Sequence, residues 1–196
     1  DPAQLKTPYE RSKWEAERLA RELAAGRLSL VVVYPTMPLG PEDRKPTPSG
    51  RMVIDFLYGR LPFYVNMYLN VAAVEDVAAG HVAALERGRD GEGYILGNRN
   101  LTLKDLLDML ARLTGDPAPR GQVPLALARL TALVEENILY RLSGRPPRVS
   151  QASVRVAGRR LWCNCQKAIN ELGLPQTPIE EALARSISWF KSHGYV

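Results

Sequence analysis

Residues 7–34 combine a helix that has clear boundary signals with a short apolar run directly after it. Thr7 suits the N-cap, Pro8 the first helical position, and Glu10 completes a capping box, while Gly26 ends the pattern. Residues 28–34 (LSLVVVY) are apolar and rich in β-branched side chains, which predicts a buried, parallel strand. A helix followed by a buried strand is half of a βαβ unit, so we expect an α/β fold.

The rest of the chain predicts few strands and many helices. Apolar spacing and end signals predict helices over residues 52–58, 75–86, 102–114 and 125–142, two short helices within 150–172, a last helix capped by Thr177 and Glu180, and extended segments within 63–74 and 93–97. This order fits the edge of a doubly wound sheet followed by a mostly helical region.

Composition indicates a soluble globular protein. The chain has 196 residues, of which 45% are hydrophobic and 24% charged. It contains no run of eighteen apolar residues, so we expect no membrane span. Cys163 and Cys165 are too close for an ordinary disulfide, which favours a reducing, cytoplasmic compartment. No cluster of histidine and cysteine residues predicts a metal site.

The formal net charge of +5 suits an anionic substrate or cofactor, or a nucleic acid. The basic residues are scattered, with short clusters at 141–148 and 155–160 and no interleaved aromatic motif. We therefore expect a solvated surface and no nucleic-acid partner. A nucleic-acid-binding module is the alternative, and it predicts an affinity that falls steeply with salt.

Tyr9 and Lys13 are candidate catalytic residues on the first predicted helix. Residues four apart lie on one face of a helix, so the lysine ammonium can lie beside the tyrosine ring. A nearby cation favours the phenolate form, and a tyrosine in this arrangement can act as a general acid or base. A pair of surface residues without function would show the same spacing.

The predicted strand at 28–34 ends in a loop. Residues 35–50 contain five prolines and two glycines, which argues against a regular element. Functional loops of doubly wound sheets cluster at the carboxyl ends of the strands. The loop is therefore expected to line a binding site.

Several motifs together resemble a known family. They are residues 9–13 (YERSK), 34–36 (YPT), 40–41 (GP), 74–78 (VEDVA) and 94–98 (YILGN). In this order and spacing they resemble extended short-chain dehydrogenases/reductases, the NAD-dependent epimerase/dehydratase group. The closest likeness is to the dihydroflavonol-4-reductase-like branch and its hopanoid-associated sugar epimerases.

The resemblance implies the C-terminal part of an extended Rossmann-type, doubly wound fold. Residues 1–100 would hold the last parallel strands of the nucleotide-binding domain, and residues 101–196 a mostly helical substrate-binding region. The implied cofactor is NAD or NADP. Tyr9 would be the acid/base and would also contact the cofactor. Lys13 would lower the pKa of Tyr9 and bind the nicotinamide ribose. The backbone facing the nicotinamide carboxamide would be that of Pro35, Thr36 and Met37.

Arg51 lies in the segment that the resemblance places against the substrate. It is a candidate for binding an anionic group of a small-molecule substrate. A solvated or helix-capping arginine is the alternative.

The family's other functional motifs are missing from this sequence. There is no glycine-rich turn for the pyrophosphate, no residue for the adenosine ribose, and no catalytic Ser or Thr before Tyr9. We therefore expect the chain to be inactive without an N-terminal half, and to pair with that half or with a second copy as a homo-oligomer. A non-enzymatic dinucleotide sensor or scaffold remains an alternative. Three further choices stay open: whether the cofactor is NAD or NADP, whether the reaction is epimerisation, reduction or dehydration, and whether the substrate is a sugar-like or a polycyclic alcohol or ketone.

Overall fold

The computed structural model describes residues 5, 7–134, 154, 157–159 and 161–196. The strands are β1 (Val32–Pro35), β2 (Met37–Leu39), β3 (Phe63–Tyr64), β4 (Tyr68–Ala73), β5 (Gly93–Leu96), β6 (Arg99–Thr102) and β7 (Gly121–Gln122). The helices are α1 (Pro8–Ala24), α2 (Pro48–Leu57), α3 (Val74–Arg87), α4 (Leu103–Thr114), α5 (Leu125–Val134), α6 (Gln166–Leu172) and α7 (Ile179–Ser192).

Most of the strand pairs are parallel. β1 pairs with β5, with Tyr34 opposite Ile95 and Pro35 opposite Leu96. A three-stranded sheet has the order β2-β4-β6, in which β2 runs parallel and β6 antiparallel to β4. β3 and β7 form a short parallel ribbon. Parallel strands connected through helices confirm the predicted α/β fold class.

The start of α1 follows its local sequence, whereas the strand after it differs from the prediction. The Thr7 N–H donates to Glu10 Oε2 over 2.9 Å, and the Glu10 N–H donates to Thr7 Oγ1 over 3.1 Å, as in the predicted capping box. The strand predicted at 28–34 is parallel, as expected, but the prediction is wrong in length and burial, because β1 begins at Val32 and none of its residues is buried. The preceding residues bond to a loop instead: the Leu30 N–H donates to Asp90 Oδ1 over 2.7 Å.

Three apolar cores hold the described elements together, and the smallest contains Ala128, Ala132 and Val154. In the first, Leu39 of β2, Val53 of α2 and Val71 of β4 pack with Leu106 of α4 and Phe190 of α7. The second forms where α3 and α6 cover β5, and it includes Val77, Tyr94, Leu96, Leu172 and Leu174. The first core therefore contains side chains from both sequence regions, 1–100 and 101–196. Their proposed division stays a prediction.

The predicted capping box at the last helix is wrong. α7 begins at Ile179 after Pro178, without a side-chain cap. Thr177 instead donates its backbone N–H and its hydroxyl to the carboxylate of Asp76, over 2.7 and 2.8 Å. Asp76 lies in the first turn of α3 and is 4% exposed, so it offers a buried charged acceptor that outcompetes a local cap.

Other boundaries differ more modestly. α2 begins at Pro48, earlier than predicted, because Thr47 caps it. The prediction of one loop over residues 35–50 is wrong, because Met37–Leu39 forms β2 by pairing with β4 and α2 begins at Pro48. β6 was not predicted either; only Leu101 of its residues is buried, and the strand forms through its pairing with β4. The helix predicted over 125–142 is present over α5, and its remainder lies outside the described residues. Of the two helices predicted within 150–172, α6 is present, and the preceding segment lies mostly outside that described part.

Candidate functional site

α1 presents Tyr9, Lys13 and Glu17 at four-residue spacing, on one face of the helix. The Lys13 Nζ lies 5.6 Å from the centroid of the Tyr9 ring, within the range of a cation–π contact. Tyr9 is 69% exposed, so its hydroxyl is open to a ligand. The structure therefore brings the two predicted catalytic side chains together.

The same face of α1 contacts the β1–β5 sheet two turns further along. Glu17 Oε1 accepts a hydrogen bond from the Tyr34 hydroxyl over 2.7 Å, and Arg21 Nε donates to the same carboxylate over 2.9 Å. Arg21 Nη1 also donates to the Gly91 carbonyl over 2.7 Å. The face that carries Tyr9 and Lys13 is thus the face that meets the sheet.

Burial and hydrogen bonding shift the pKa values of Tyr34 and Glu17. Partial burial, followed by the bond to Glu17, raises the pKa of Tyr34 above its ordinary value. Partial burial also disfavours the charged form of Glu17, but the hydrogen bonds from Tyr34 and Arg21 outweigh it and hold the pKa of Glu17 below its ordinary value. Glu17 is therefore a carboxylate at neutral pH.

The first turn of α1 is tied to the C-terminal region. Glu10, besides its role in the capping box, forms an ion pair with Arg159. Both side chains are largely buried, at 24% and 27% exposed, so this pair is screened less than a surface pair. The ion pair therefore links the helical turn that carries Tyr9 to Arg159 in the C-terminal region.

A cavity of about 550 Å³ opens where the parallel strands β1 and β5 end. We call it the strand-end cavity; it is lined by Tyr34, Pro35, Thr36, Met37, Leu69, Asn70, Ile95, Leu161 and Cys163. All three residues predicted to face a nicotinamide are therefore together in one wall. Tyr9 and Lys13 are not in the lining, and their link to this cavity runs through Glu17 and Tyr34.

An amide network that the sequence did not predict holds one wall of the strand-end cavity. Asn70 is 4% exposed and donates from Nδ2 to Asn100 Oδ1 over 2.8 Å. The Asn100 side chain also bonds both backbone groups of Cys163: it accepts from the N–H and donates to the carbonyl, each over 3.0 Å. In the sequence, the local sign of this network was one asparagine inside the apolar run that forms β4.

Cys163 lines this wall, and Gly97 and Cys165 lie next to Asn70 without lining the cavity. A Cβ atom at Gly97 would lie 2.2 Å from Asn70 Oδ1 and 2.8 Å from Cys165 Sγ, so only glycine fits beside the amide. Burial raises the pKa of both the Cys163 and Cys165 thiols. They are therefore neutral near pH 7, which suits a structural role better than a nucleophilic one.

A second cavity of about 460 Å³ lies between α2, α4, α5 and the β3–β7 ribbon. We call it the apolar cavity, because its described lining contains no charged side chain. Arg51, the predicted anion-binding residue, lies in the lining of neither cavity. It is exposed in the first turn of α2, where its N–H donates to the Thr47 carbonyl over 2.7 Å. Its proposed contact with substrate stays a prediction.

The part of the chain that the structure describes contains no group of three or more His, Cys, Asp or Glu residues able to hold a metal ion. Within that same part, none of the helices has the length and apolar character needed to cross a membrane.

Two curated relatives match nearly the whole chain. The putative dihydroflavonol 4-reductase of Synechocystis sp. is 44% identical over 192 residues, which are 96% of this chain and 56% of the relative. The sterol demethylase protein B of Methylococcus capsulatus is 30% identical over 196 residues, 100% of this chain and 60% of the relative. No model of a known protein family matches the chain.

Solved structures agree with these relatives. The protein gox2253 superposes with a TM-score of 0.83 at 37% identity, and the nucleoside-diphosphate-sugar epimerase PA4631 of Pseudomonas aeruginosa with 0.80 at 34%. Each match covers 100% of this chain and 59% of the other. Over nearly its whole length, the chain is therefore similar to a part of proteins described as reductases and epimerases.

The family relationship confirms the predicted resemblance and its partial extent. The chain spans 56% and 60% of the length of the two curated relatives, in agreement with a C-terminal portion of the family. A UDP-glucuronic acid 4-epimerase of Bacillus cereus, solved with NAD, superposes with a TM-score of 0.68 at 17% identity and supports the Rossmann-type fold alone.

Proposed function

We propose that the chain supplies the Tyr–Lys pair and the nicotinamide-side wall of an NAD(P)-dependent oxidoreductase or epimerase. The observation that carries the proposal is the placement of Tyr9 and Lys13 on the face of α1 that bonds Tyr34, a lining residue of the strand-end cavity. An alcohol or ketone carbon of a sugar-like or polycyclic molecule is the proposed site of reaction. The named relatives include reductases and epimerases, which supports this class.

The strand-end cavity suits the nicotinamide end of a dinucleotide. Pro35, Met37 and Ile95 give it apolar walls for a flat ring, and its volume of about 550 Å³ leaves room for the reacting part of a substrate. Solved structures of the same fold contain bound NAD or NADPH, which supports a nicotinamide dinucleotide and leaves the choice between the two open. When bound, that cofactor accepts or supplies a hydride.

The chain's own residues would handle the proton. The Tyr9 hydroxyl would give a proton to, or take one from, the substrate oxygen. The Lys13 ammonium lies 5.6 Å from the centroid of the Tyr9 ring and would stabilise negative charge that develops on the Tyr9 oxygen during the transfer. Residues 35–37 would hold the ring of the cofactor, and the Glu17–Tyr34 bond keeps α1 in register with that wall.

Substitution of Tyr9 tests the proposal. In the full-length gene product, Tyr9→Phe should lower kcat for reduction of sugar-like or polycyclic ketones by about 10²–10⁴-fold. The reason is that phenylalanine has no hydroxyl to donate a proton to the substrate oxygen. Tyr58→Phe is the matched control, since Tyr58 is also exposed and has Arg60 4.1 Å from its ring centroid. Equal activity of the two variants would refute the catalytic role.

Dinucleotide binding separates the proposal from its main alternative. Calorimetric titration with NAD⁺ and NADPH, beside the intact mass of the gene product, measures whether this chain or only a longer product binds the cofactor. Binding without turnover of any ketone would favour a dinucleotide sensor or scaffold. The acid/base role of Tyr9 is not needed for that function, so Tyr9→Phe would then leave it unchanged.

Partner and location are proposed on separate grounds. Leu19 and Leu23, on adjacent turns of α1, are 44% and 68% exposed and would be covered by the rest of a longer protein or by a second copy. Light scattering of the purified chain tests the second possibility. The free thiols of Cys163 and Cys165 support a reducing, cytoplasmic location.

A further inference from the structure

The apolar cavity lies beside the strand-end cavity along one strand. Met67, immediately before β4, lines the apolar cavity, and Leu69 lines the strand-end cavity. Leu69 is part of the first core and Met67 packs against it, so the two cavities lie on the same side of this segment. Two residues of extended chain span about 6.7 Å, which makes the cavities neighbours.

The side chains that line the apolar cavity determine which class of ligand it can bind. Met52, Phe63, Leu107 and Leu127 provide aliphatic and aromatic walls. The hydroxyl of Thr131, which also lines the cavity, already donates to the Ala128 carbonyl over 3.0 Å. A diphosphate needs cationic partners such as a bidentate arginine, and the described lining has none.

Resting on the proposed function, we propose that the apolar cavity binds the carbon skeleton of a hydrophobic, ring-bearing alcohol or ketone. The diphosphate of a nucleotide-activated sugar would find no cationic partner in the described lining. The volume of about 460 Å³ lies within the range of small-molecule sites. Binding strength comes from the apolar area removed from water, and the carbonyl or alcohol end projects towards the strand-end cavity.

A series of ketones of increasing size tests the inference. Equilibrium dialysis of the purified chain, without dinucleotide, measures the affinity for cyclohexanone, decalone and a tetracyclic steroid ketone. We expect the affinity to rise about tenfold or more at each step, because each added ring buries several methylene groups. UDP-glucose should neither bind nor displace the steroid ketone. Equal affinities along the series, or displacement by UDP-glucose, would overturn the inference.

Two leucines on α5 provide a matched pair of variants. Leu127 lines the cavity and is 51% exposed, whereas Leu130 is 57% exposed and is not in the lining. Leu127→Asp should weaken binding of the steroid ketone about tenfold or more, and Leu130→Asp should change it less than about twofold. Phe63→Ala, at a lining position that is 56% exposed, replaces Leu127→Asp if circular dichroism reports unfolding. Equal effects inside and outside the lining would contradict the assignment.

The outcome is separable from that of the proposed function. If Tyr9→Phe lowers turnover while the ketone series shows no trend, the cavity assignment fails alone. If the series shows the trend while Tyr9→Phe and Tyr58→Phe are equally active, the proposed catalytic role fails and the apolar site stands.

Discussion

Asp76 holds the start of α7 against the start of α3, and its removal should destabilise the protein strongly. Asp76 is 4% exposed, and its carboxylate accepts the backbone N–H and the hydroxyl of Thr177 over 2.7 and 2.8 Å. A hydrogen bond to a charged group contributes about 1.5–3 kcal/mol. Loss of both in Asp76→Ala should therefore lower the free energy of unfolding by about 3–5 kcal/mol.

Glu75 provides the matched control, because it is the neighbouring acidic residue of the same helical turn. Its ion pair with Arg185 spans 3.3 Å between side chains that are 41% and 39% exposed. Glu75→Ala should therefore cost about 0–1 kcal/mol. Urea denaturation with linear extrapolation measures both variants. A loss in Asp76→Ala below about 1 kcal/mol, or no larger than in Glu75→Ala, would refute the reasoning.

Two further predictions concern the strand-end cavity and the contact of α1. Asn100→Ala removes both side-chain bonds to the Cys163 backbone and should speed amide exchange of Cys163; an unchanged exchange rate, or an equal effect of the exposed Asn170→Ala, would contradict this. The pKa of Glu17 is lowered in the folded state, so its stabilising contribution is present above the unfolded pKa of about 4.3 and is lost as pH falls through the folded value. The difference in Tm between the wild type and Glu17→Gln should therefore shrink on acidification, and a constant difference would argue against the Glu17–Tyr34 bond.

Local patterns in the sequence were reliable only where no distant group competed. The same residues, Thr-Pro-x-Glu, begin at Thr7 and at Thr177. At Thr7 they form the capping box, because both partners lie within one turn. At Thr177 the donors go to Asp76, which is 101 residues away in sequence. No local reading could distinguish the two cases.

The candidate site shows the same limit. The place of residues 35–37 at a binding edge could be predicted, because this edge follows a parallel strand. Their strand structure could not, because β2 begins at Met37 through its pairing with β4. The Asn70–Asn100 pair could not, because it depends on the register of β4 and β6, in which these two residues are opposite each other. A polar residue inside an apolar strand was the only local sign of it.

The first core has a consequence for how the chain folds. Val53, Val71 and Phe190 are fully buried in it, yet α7 is the last helix that the structure describes. Contacts of such long sequence separation form late and slow folding. During synthesis on the ribosome, the apolar faces of α2 and β4 that contact α7 would stay exposed to water until α7 emerges. We expect that interval to be the period when the nascent chain is most prone to aggregate.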